Sequence, residues 1–586
     1  MSFFSRIFPF GVSQLVVGPT RHMKGQKSAG LDHLYTNIPN KITNVEKHFW
    51  GSSDHMFISA IRKSKSINCS PQYIRKRSYK HFDEHLFKRT IRKIGWLDVY
   101  LSEDVNIALN MFTEKILNIL DVMAPLKTFQ VRRKHNPWIS NDTLQMMKER
   151  NQLQEIASKS NSNADWEKFR QVRNKVNNKL RYEEKYYQRK RLSETRGDSL
   201  KSWQVVKSIL NWQSTGSPNK LFADGKLITK SQELADTQNS YFINKIKNIK
   251  EIIQPPQNDT LKLVSTFMEG KRCSMEISFI HPDEVMKIIS QLSNSTAFGL
   301  DNIDTYIVKL IKEEITPALT HIINLSLKSK TYPESWKSSK IVPLYKKDDP
   351  LNPQNYRPVA LIPVLSKVLE IAISKQIMEY MCKNELLNRN YHAFRATHNT
   401  STAMIQMMDD WVAALEAGEM AGVCLLDMSA AFDVVNHQIL LEKMKLYGFD
   451  ENTITWLRSY LTNRRQCVSI NGSLSKFLPV LSGVPQGSIL GPLLYTIYTN
   501  DLPEVIDKNN QNSICCYADD TTHTSRHKDH KILTEQLSEN YSRISDYMRD
   551  NQLKLNDDKT HLVVISTQNR RRRSQSADLM HIKIPY

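Results

Sequence analysis

The chain has 586 residues, 40% of them hydrophobic, with 81 Lys and Arg against 60 Asp and Glu and a formal net charge of +21. That length calls for two or three folded units with real cores, and the charge points to a polyanionic partner, for which nucleic acid is the usual candidate. No stretch of about 20 apolar residues exists to span a membrane, and the seven cysteines show no Cys-x-x-Cys spacing, as expected of reduced thiols in an intracellular compartment. Charge alone leaves an anionic membrane surface or a ribosomal-type role open.

Taken in chain order, Gln14-Leu15-Val16-Val17 reads as a buried strand, not a secretory leader, because Arg6 and Pro9 interrupt the apolar run and no basic segment precedes it. Pro19-Thr20-Arg21, Leu31-Asp32-His33-Leu34-Tyr35-Thr36-Asn37 and Ser53-Asp54-His55 follow. Together they resemble the C-terminal end of an apurinic-type endonuclease. The resemblance implies that the Asp54–His55 pair orients and activates water against a DNA phosphodiester, with the carboxylate orienting an imidazole base. The first acidic metal ligands of that family, and most of its α/β sandwich, would lie before Met1. A segment of about 60 residues cannot bury such a core, so residues 1–60 are expected to be an incomplete endonuclease end without chemistry of its own.

Residues 61–270 read as a mostly helical, basic linker region. Ile107, Leu109, Met111, Phe112, Ile116, Leu117 and Leu120 suit a helix, and Asp142 is placed to cap another after Arg132-Arg133-Lys134-His135. Trp166, Phe169, Val172, Val176 and Leu180 then recur at steps of three and four among Arg170, Arg173, Lys175, Lys179 and Arg181. This is one apolar stripe backed by cations, either a phosphate-tracking surface or a solvated face of a packed helix. Tyr186 and Tyr187 within the basic run Lys185–Arg191 favour nucleic acid, because aromatics stack on bases. Leu221 to Ile228 with Asp224-Gly225 at its centre predicts a hairpin, Glu233 to Phe242 a helix, and residues 250–270 a linker.

Asp283 to Leu292 predicts an amphipathic helix, followed by Ala297-Phe298-Gly299-Leu300-Asp301-Asn302-Ile303. Ile341-Val342-Pro343-Leu344-Tyr345-Lys346-Lys347 suits a strand and a basic loop. Tyr356-Arg357-Pro358, Lys367 and Phe394-Arg395 come next. Val423-Cys424-Leu425-Leu426 is a buried strand that ends on Asp427. In Ser482-Gly483-Val484-Pro485-Gln486-Gly487-Ser488, the glycines admit close backbone approach and Pro485 sets the turn into an apolar helix. Ile514-Cys515-Cys516-Tyr517-Ala518-Asp519-Asp520-Thr521-Thr522 reads as strand, tight turn, strand, with both aspartates at the tip. An isolated Asp-Asp merely suits a turn. Here the pair joins Asp427, and adjacent carboxylates that repel are relieved by a divalent cation, for which hard oxygen ligands suit Mg²⁺. Cys424, Cys515 and Cys516 read as small core residues, not ligands.

These elements in this order, with Asn355-Tyr356-Arg357-Pro358 before them and Asn556-Asp557-Asp558-Lys559-Thr560 after, resemble the reverse transcriptases of non-LTR (LINE-type) retrotransposons. The resemblance implies an α+β right-hand polymerase with fingers over 271–420 and a palm with an antiparallel sheet over 421–568. A basic tail, 569–586, carries Arg570 to Arg573, and the thumb is expected to be missing. The implied activity is RNA-directed DNA polymerisation from dNTPs on an RNA template, using a DNA primer or target DNA. Two Mg²⁺ ions, for which Mn²⁺ can substitute, are implied at Asp427, Asp519 and Asp520. By the same resemblance Arg395 contacts the triphosphate, although Ala393 stands where the family has Gly, and Lys367 adds compensating charge in the fingers. Phe432 crowds the sugar and so selects deoxynucleotides. Gln486 and Gly487 lie under the nascent pair and template, and Lys559 assists proton donation to pyrophosphate. The expected setting is a ribonucleoprotein in nucleus and cytoplasm. The rival readings are a catalytically inactive nucleic-acid-binding remnant and a domesticated ribonucleoprotein factor.

Overall fold

A computed structural model describes residues 13–21, 29–36, 39–48, 55–62, 73–130, 136–160, 162–210, 217–294, 297–395, 397–506 and 511–567. Asp54, Arg132 to His135 and the four arginines from Arg570 lie outside the described residues. The chain divides into two compact units, 1–70 and 71–586.

The described part of the first unit is built of short antiparallel pairs, Ser13–Gln14 with Tyr35–Thr36 and Ile42–His48 with Phe57–Arg62. The strand expected over Gln14 to Val17 covers Ser13–Gln14 alone; Val16 is buried and Val17 faces out. Thr20 is fully buried, and its hydroxyl accepts the backbone N–H groups of Leu31 and Asp32.

In the second unit, helix α1 (Val105–Met123) starts at Asp104, whose carboxylate accepts from the N–H groups of Asn106 and Ile107. Leu109, Phe112, Ile116 and Leu120 form its buried stripe, while Ile107, expected in that stripe, is exposed. Phe87, Ile91 and this stripe join the same apolar cluster as residues from 264 to 555. The region 84–124 is therefore part of the main core. Helices α2 (Asn141–Ser160) and α3 (Asn163–Glu194) pack on each other as a hairpin. The cap of α2 is Ser140, whose hydroxyl accepts from Thr143 N–H, and not Asp142. Leu221–Ala223 pairs with Lys226–Ile228 around Asp224 and Gly225, both at positive φ, as the Asp-Gly signal predicts.

Helix α4 (Ser231–Ile252) buries Gln238 and Asn239. Within 250–270, read as linker, Lys262–Met268 is helical, and Gln257 N–H and Asn258 Nδ2 both donate to Asp550. A first sheet holds β1 (Ser338–Tyr345), β2 (Tyr356–Leu361) and, further on, β4 (Arg464–Ile470). β1 is antiparallel to β2 and parallel to β4. Asn239 fastens α4 to this sheet, donating to Ser475 Oγ and Lys476 O and accepting from Gln466 Nε2. Helices α5 (Val364–Lys383) and α6 (Thr400–Glu416) lead to β3 (Met420–Leu426), the near-continuously buried strand the apolar run predicts.

After helix α7 (Leu490–Thr499), strands β5 (Asn512–Tyr517) and β6 (Asp520–His527), helix α8 (His530–Asp550) and β7 (His561–Ile565) complete a second sheet. Its order is β5–β6–β3–β7, and every pairing is antiparallel. Leu533 and Leu537 of α8 cover it at Met420. The fold is thus mixed α and β with antiparallel sheets. Among the described residues no helix is long and apolar enough to cross a membrane.

Candidate functional site

The second sheet carries the acids at one end. Tyr517 pairs with Asp520, so the connecting loop is only Ala518–Asp519, with Ala518 at φ +57°. Asp519 stands at the tip, whereas Asp520 already belongs to β6, a small departure from the expected pair at the tip. A two-residue hairpin needs positive φ and favours glycine there. Alanine in that region is strained, the kind of strain that persists where surrounding structure enforces it. The enforcement is visible: Ile514, Cys515 and Cys516 are buried, and the Cys516 backbone bonds Asn390 O and His392 N–H. Burial pushes the thiols of Cys424 and Cys516 up to about 12 and that of Cys515 up to about 11. They are inert core residues.

Asp427 follows β3. The β3–β6 register ends at Leu426 opposite Thr521, which places Asp427 and Asp520 next in line on adjacent strands. The Asp520 carboxyl is raised above the ordinary range, first by burial and then by the charges of Asp519 and Asp427. Asp427 Oδ2 accepts from Asn556 Nδ2 and Lys559 Nζ, each at 3.0 Å, and its backbone carbonyl accepts from Asn556 N–H at 2.8 Å. Lys559, expected to assist proton donation to pyrophosphate, is thus bonded to one of the acids. Across from it, the Lys346 ammonium is lowered by burial and by Arg357, Lys559 and Lys347, and held up by Asp427. Cations of the first sheet thus lie within electrostatic reach of the acids of the second.

Asp519 and Asp427 both act on Asp520, yet the three carboxylates do not converge into a ready cage: among the described residues no group of three or more His, Cys, Asp or Glu is close enough to hold a metal ion. The donor set is nonetheless all carboxylate oxygen, which suits a hard divalent cation, and the upward shift of the Asp520 carboxyl, caused first by burial, includes a repulsion from Asp519 and Asp427 that such an ion relieves.

Phe432 lies in the short helix Ala431–Val434, its ring centroid 4.5 Å from that of Tyr495. Tyr495 is fully buried, its hydroxyl donates to Met428 Sδ at 3.1 Å, and burial together with Asp519 and other neighbouring groups pushes that hydroxyl well above its usual range. Phe432 consequently rests on a ring that underlies the acidic turn. Val484 N–H donates to Phe432 O and Gly483 N–H to Val435 O. Gln486 Nε2 donates to Asp433 Oδ2 at 2.8 Å, while Gln486 O accepts from Ala360 N–H of β2. Gly487 has φ +108°, and a Cβ there would stand 2.6 Å from Ala360 O. Glycine is what allows the loop to lie against the first sheet.

A residue the sequence reading missed holds the far end of this loop. Glu370 of α5 is fully buried and accepts from Ile489 N–H at 2.8 Å and Leu490 N–H at 3.2 Å, the start of α7. Tyr460 and Tyr332 hydroxyls reach it at 3.3 and 3.4 Å. The available signal was an acid inside the apolar stretch Val368–Ile373 of α5. Asn556 was likewise quoted only as part of a motif, yet it grips Asp427 twice.

Arg395 is folded back: its Nη1 donates to Asn388 O and Tyr391 O at 3.0 and 3.2 Å. The concern over Ala393 resolves locally, because Ala393 is buried at ordinary φ and Phe394 takes the positive φ of +58°. The loop stays beside the acids through the Tyr391–Cys516 bridge. Lys367 lies half-buried in the first turn of α5, with its backbone N–H on Pro363 O, and the structure does not bring it to the acids by any hydrogen bond or ion pair. In the first unit, His55 Nδ1 bonds Asp32 Oδ2 at 2.8 Å, and that bond is the main reason the Asp32 carboxyl lies below its usual range. A described partner of His55 is thus Asp32, whose backbone N–H is held by the Thr20 hydroxyl, while the adjacent Asp54 lies outside the described residues.

Residues 344–578 match the family model described as reverse transcriptase (RNA-dependent DNA polymerase). The chain is 26% identical over 481 residues to the probable RNA-directed DNA polymerase from transposon BS of Drosophila melanogaster, covering 80% of this chain and 52% of that protein. It is 24% identical over 526 residues to the RNA-directed DNA polymerase from mobile element jockey of the same organism, covering 87% of this chain and 56% of that one. A third relative, the probable RNA-directed DNA polymerase from transposon X-element, is 29% identical over 304 residues, which is 52% of this chain and 33% of the relative. The chain spans about half the length of the first two curated relatives. Asp427, Asp519, Asp520 and Lys559 all fall inside the matched reverse transcriptase segment, whose family uses divalent metal ions.

Proposed function

We propose that this chain is the RNA-directed DNA polymerase of a non-LTR retrotransposon, with the first sheet as fingers and the second as palm. The observation that carries the reading is the trio Asp427, Asp519 and Asp520 at one end of an antiparallel sheet, inside the segment that matches reverse transcriptases. The reaction joins a primer 3′-oxygen to the α-phosphorus of a dNTP on an RNA template and releases pyrophosphate. Two Mg²⁺ ions, or Mn²⁺ in their place, would be held by Asp427, Asp519 and Asp520 and would acidify the primer hydroxyl and neutralise the leaving group. Lys559 and Asn556 orient Asp427, and Lys559 would assist proton donation to pyrophosphate. Lys346 and Arg357 supply positive potential on the fingers side. Phe432, packed on Tyr495, would crowd a 2′-hydroxyl. Gln486 and Gly487 form the floor under the nascent pair, and Arg395 turns out to meet the triphosphate once that anion competes with the two carbonyls it now bonds.

Residues 1–60 are read as the C-terminal end of an apurinic-type endonuclease, supported by the Asp32–His55 pair. The setting is an intracellular ribonucleoprotein of nucleus and cytoplasm, in line with the charge of +21 and with the free thiols. Primer extension on an RNA template tests the assignment. Asp519→Asn should lower incorporation by at least a hundredfold, about 2.7 kcal/mol of barrier, with RNA affinity and melting temperature nearly unchanged. A loss of less than about tenfold would remove the metal-ligand role, and no incorporation by the unaltered chain would favour a nucleic-acid-binding remnant.

A further inference from the structure

Outside the acidic site, the α2–α3 hairpin presents the most organised charged surface. Its inner side is well accounted for. Phe169 and Val176 are buried, Tyr187 packs near Trp138 with centroids 6.2 Å apart, and Glu183 accepts from the hydroxyls of Ser140 and Thr143. These contacts set the rotation of α3 about its axis. Several cations of the apolar stripe are engaged internally: Lys179 pairs with Asp142, Arg170 with Glu167, and Arg173 lies over the Phe169 ring.

The outer side is different. Lys168, Gln171, Lys175, Asn178, Tyr182, Lys185, Tyr186, Arg189 and Ser193 are all exposed, and a period of 3.6 residues puts them on one face. No carboxylate falls on that face between Lys168 and Ser193. Lys175, Lys185 and Arg189 make no ion pair among the described residues. Tyr182 is 70% and Tyr186 61% exposed, their rings nearly parallel at 15° with centroids 6.4 Å apart. Stacked bases repeat at about 3.4 Å along a strand, so two stacking intervals come to about 6.8 Å. The separation of the two ring centroids is close to those two stacking intervals.

We propose that Tyr182 and Tyr186 form an open clamp for an unpaired base of single-stranded nucleic acid, whose phosphates are tracked by Lys175, Lys185 and Arg189. Aromatic stacking accepts any base, and the cations follow the backbone, so binding is indifferent to sequence. A duplex keeps its bases stacked and offers the clamp nothing, although the cations still attract it. The competing view is that the tyrosines merely support each other as an i, i+4 pair on a solvated helix.

Fluorescence anisotropy of the full chain without dNTP separates the two, with a labelled 15-nucleotide oligouridine and the same RNA annealed to its complement as probes. The double variant Tyr182→Ala with Tyr186→Ala should weaken single-strand binding about tenfold or more, leave duplex binding within twofold, and keep the salt slope. Tyr182→Phe with Tyr186→Phe should restore it, since a phenyl ring stacks without the hydroxyl. Neutralising Lys175, Lys185 and Arg189 to Gln should instead flatten the single-strand slope of log affinity against log salt by about two units, at about 0.7 per phosphate. Single-strand affinity unchanged in the alanine pair, or lost equally for duplex, overturns the clamp. As a check free of folding effects, irradiating the unaltered chain with 4-thiouridine RNA should cross-link at Tyr182 or Tyr186, and cross-links confined to other segments also overturn it. Primer extension from a pre-annealed template reads the polymerase separately, so failure of either proposal leaves the other standing.

Discussion

At the acidic end of the second sheet, charged groups are held by chain far away in sequence, whereas on the outer face of α3 they are held by a near neighbour or by no ion pair among the described residues. Asp427 takes its bonds from Asn556 and Lys559, Gln486 from Asp433 and Ala360, and the start of α7 from Glu370. On that outer face Lys168 pairs with Asp165, a single turn away, while Lys175, Lys185 and Arg189 are exposed. Surface pairs of that kind contribute little to stability, so substitutions on the outer face of α3 should register in binding alone. At the sheet the same kind of change reaches packing, loop placement and charge together. The experiments below press on that contrast.

Its strongest test is Glu370, which belongs to the core and yet anchors a site loop. Glu370→Ala leaves two backbone N–H groups and two tyrosine hydroxyls without their acceptor, in a place where an unsatisfied buried group costs about 1–3 kcal/mol. A stability loss of about 2–4 kcal/mol is expected by urea denaturation, with Glu370→Gln losing less because its carbonyl still accepts. If Glu370→Ala costs no more than a surface change, within about 0.5 kcal/mol, the anchoring role is wrong.

Phe432 probes the same region one step closer to the sugar. Phe432→Ala should admit ribonucleotides about tenfold more readily relative to deoxynucleotides, read as the ratio of the two kcat/KM values. The ring also packs on Tyr495, so a purely structural role would lower both values alike. An unchanged ratio then assigns Phe432 to packing.

How much of this was legible in the chain depended on range. The Asp224-Gly225 hairpin, the α1 stripe and the buried β3 run are local patterns, and period and turn chemistry suffice to read them. The paired acids and the glycines of the Gly483–Gly487 loop were likewise visible as motifs, and the ladder register then placed Asp427 beside Asp520. What escaped was long-range: Glu370 under α7, Asp32 as a described partner of His55, and the inward fold of Arg395. A stripe of period 3.6 located the buried side of α3, but of the five cations read with it Arg170, Arg173 and Lys179 are engaged within the hairpin, while Lys175 lies on the outer face. The open tyrosine pair depends on which way the helix is turned, and packing on α2 decides that.

The smallest effect expected is also the one whose sign is least intuitive. Burial pushes the Asp433 carboxyl up to about 7, against the pull of Lys245 and of the hydrogen bond from Gln486. An unfolded aspartate titrates near 3.9, so between about pH 4 and pH 7 the unfolded chain releases this proton while the folded chain keeps it. Stability from this group is complete below about pH 4, falls as pH rises toward 7, and changes no further above that. Asp433→Asn removes the titration yet keeps an oxygen for Gln486 Nε2. The variant should therefore gain on the unaltered chain as pH rises from 5 to 8, by at least about 1.4 kcal/mol, the equivalent of one pKa unit. Urea midpoints at several pH values measure the difference. Parallel curves would mean that Asp433 is ionised in the fold at low pH, held by Lys245. The Gln486 contact would then be a bond to a charged acceptor, as exposed to its surroundings as the pairs on α3.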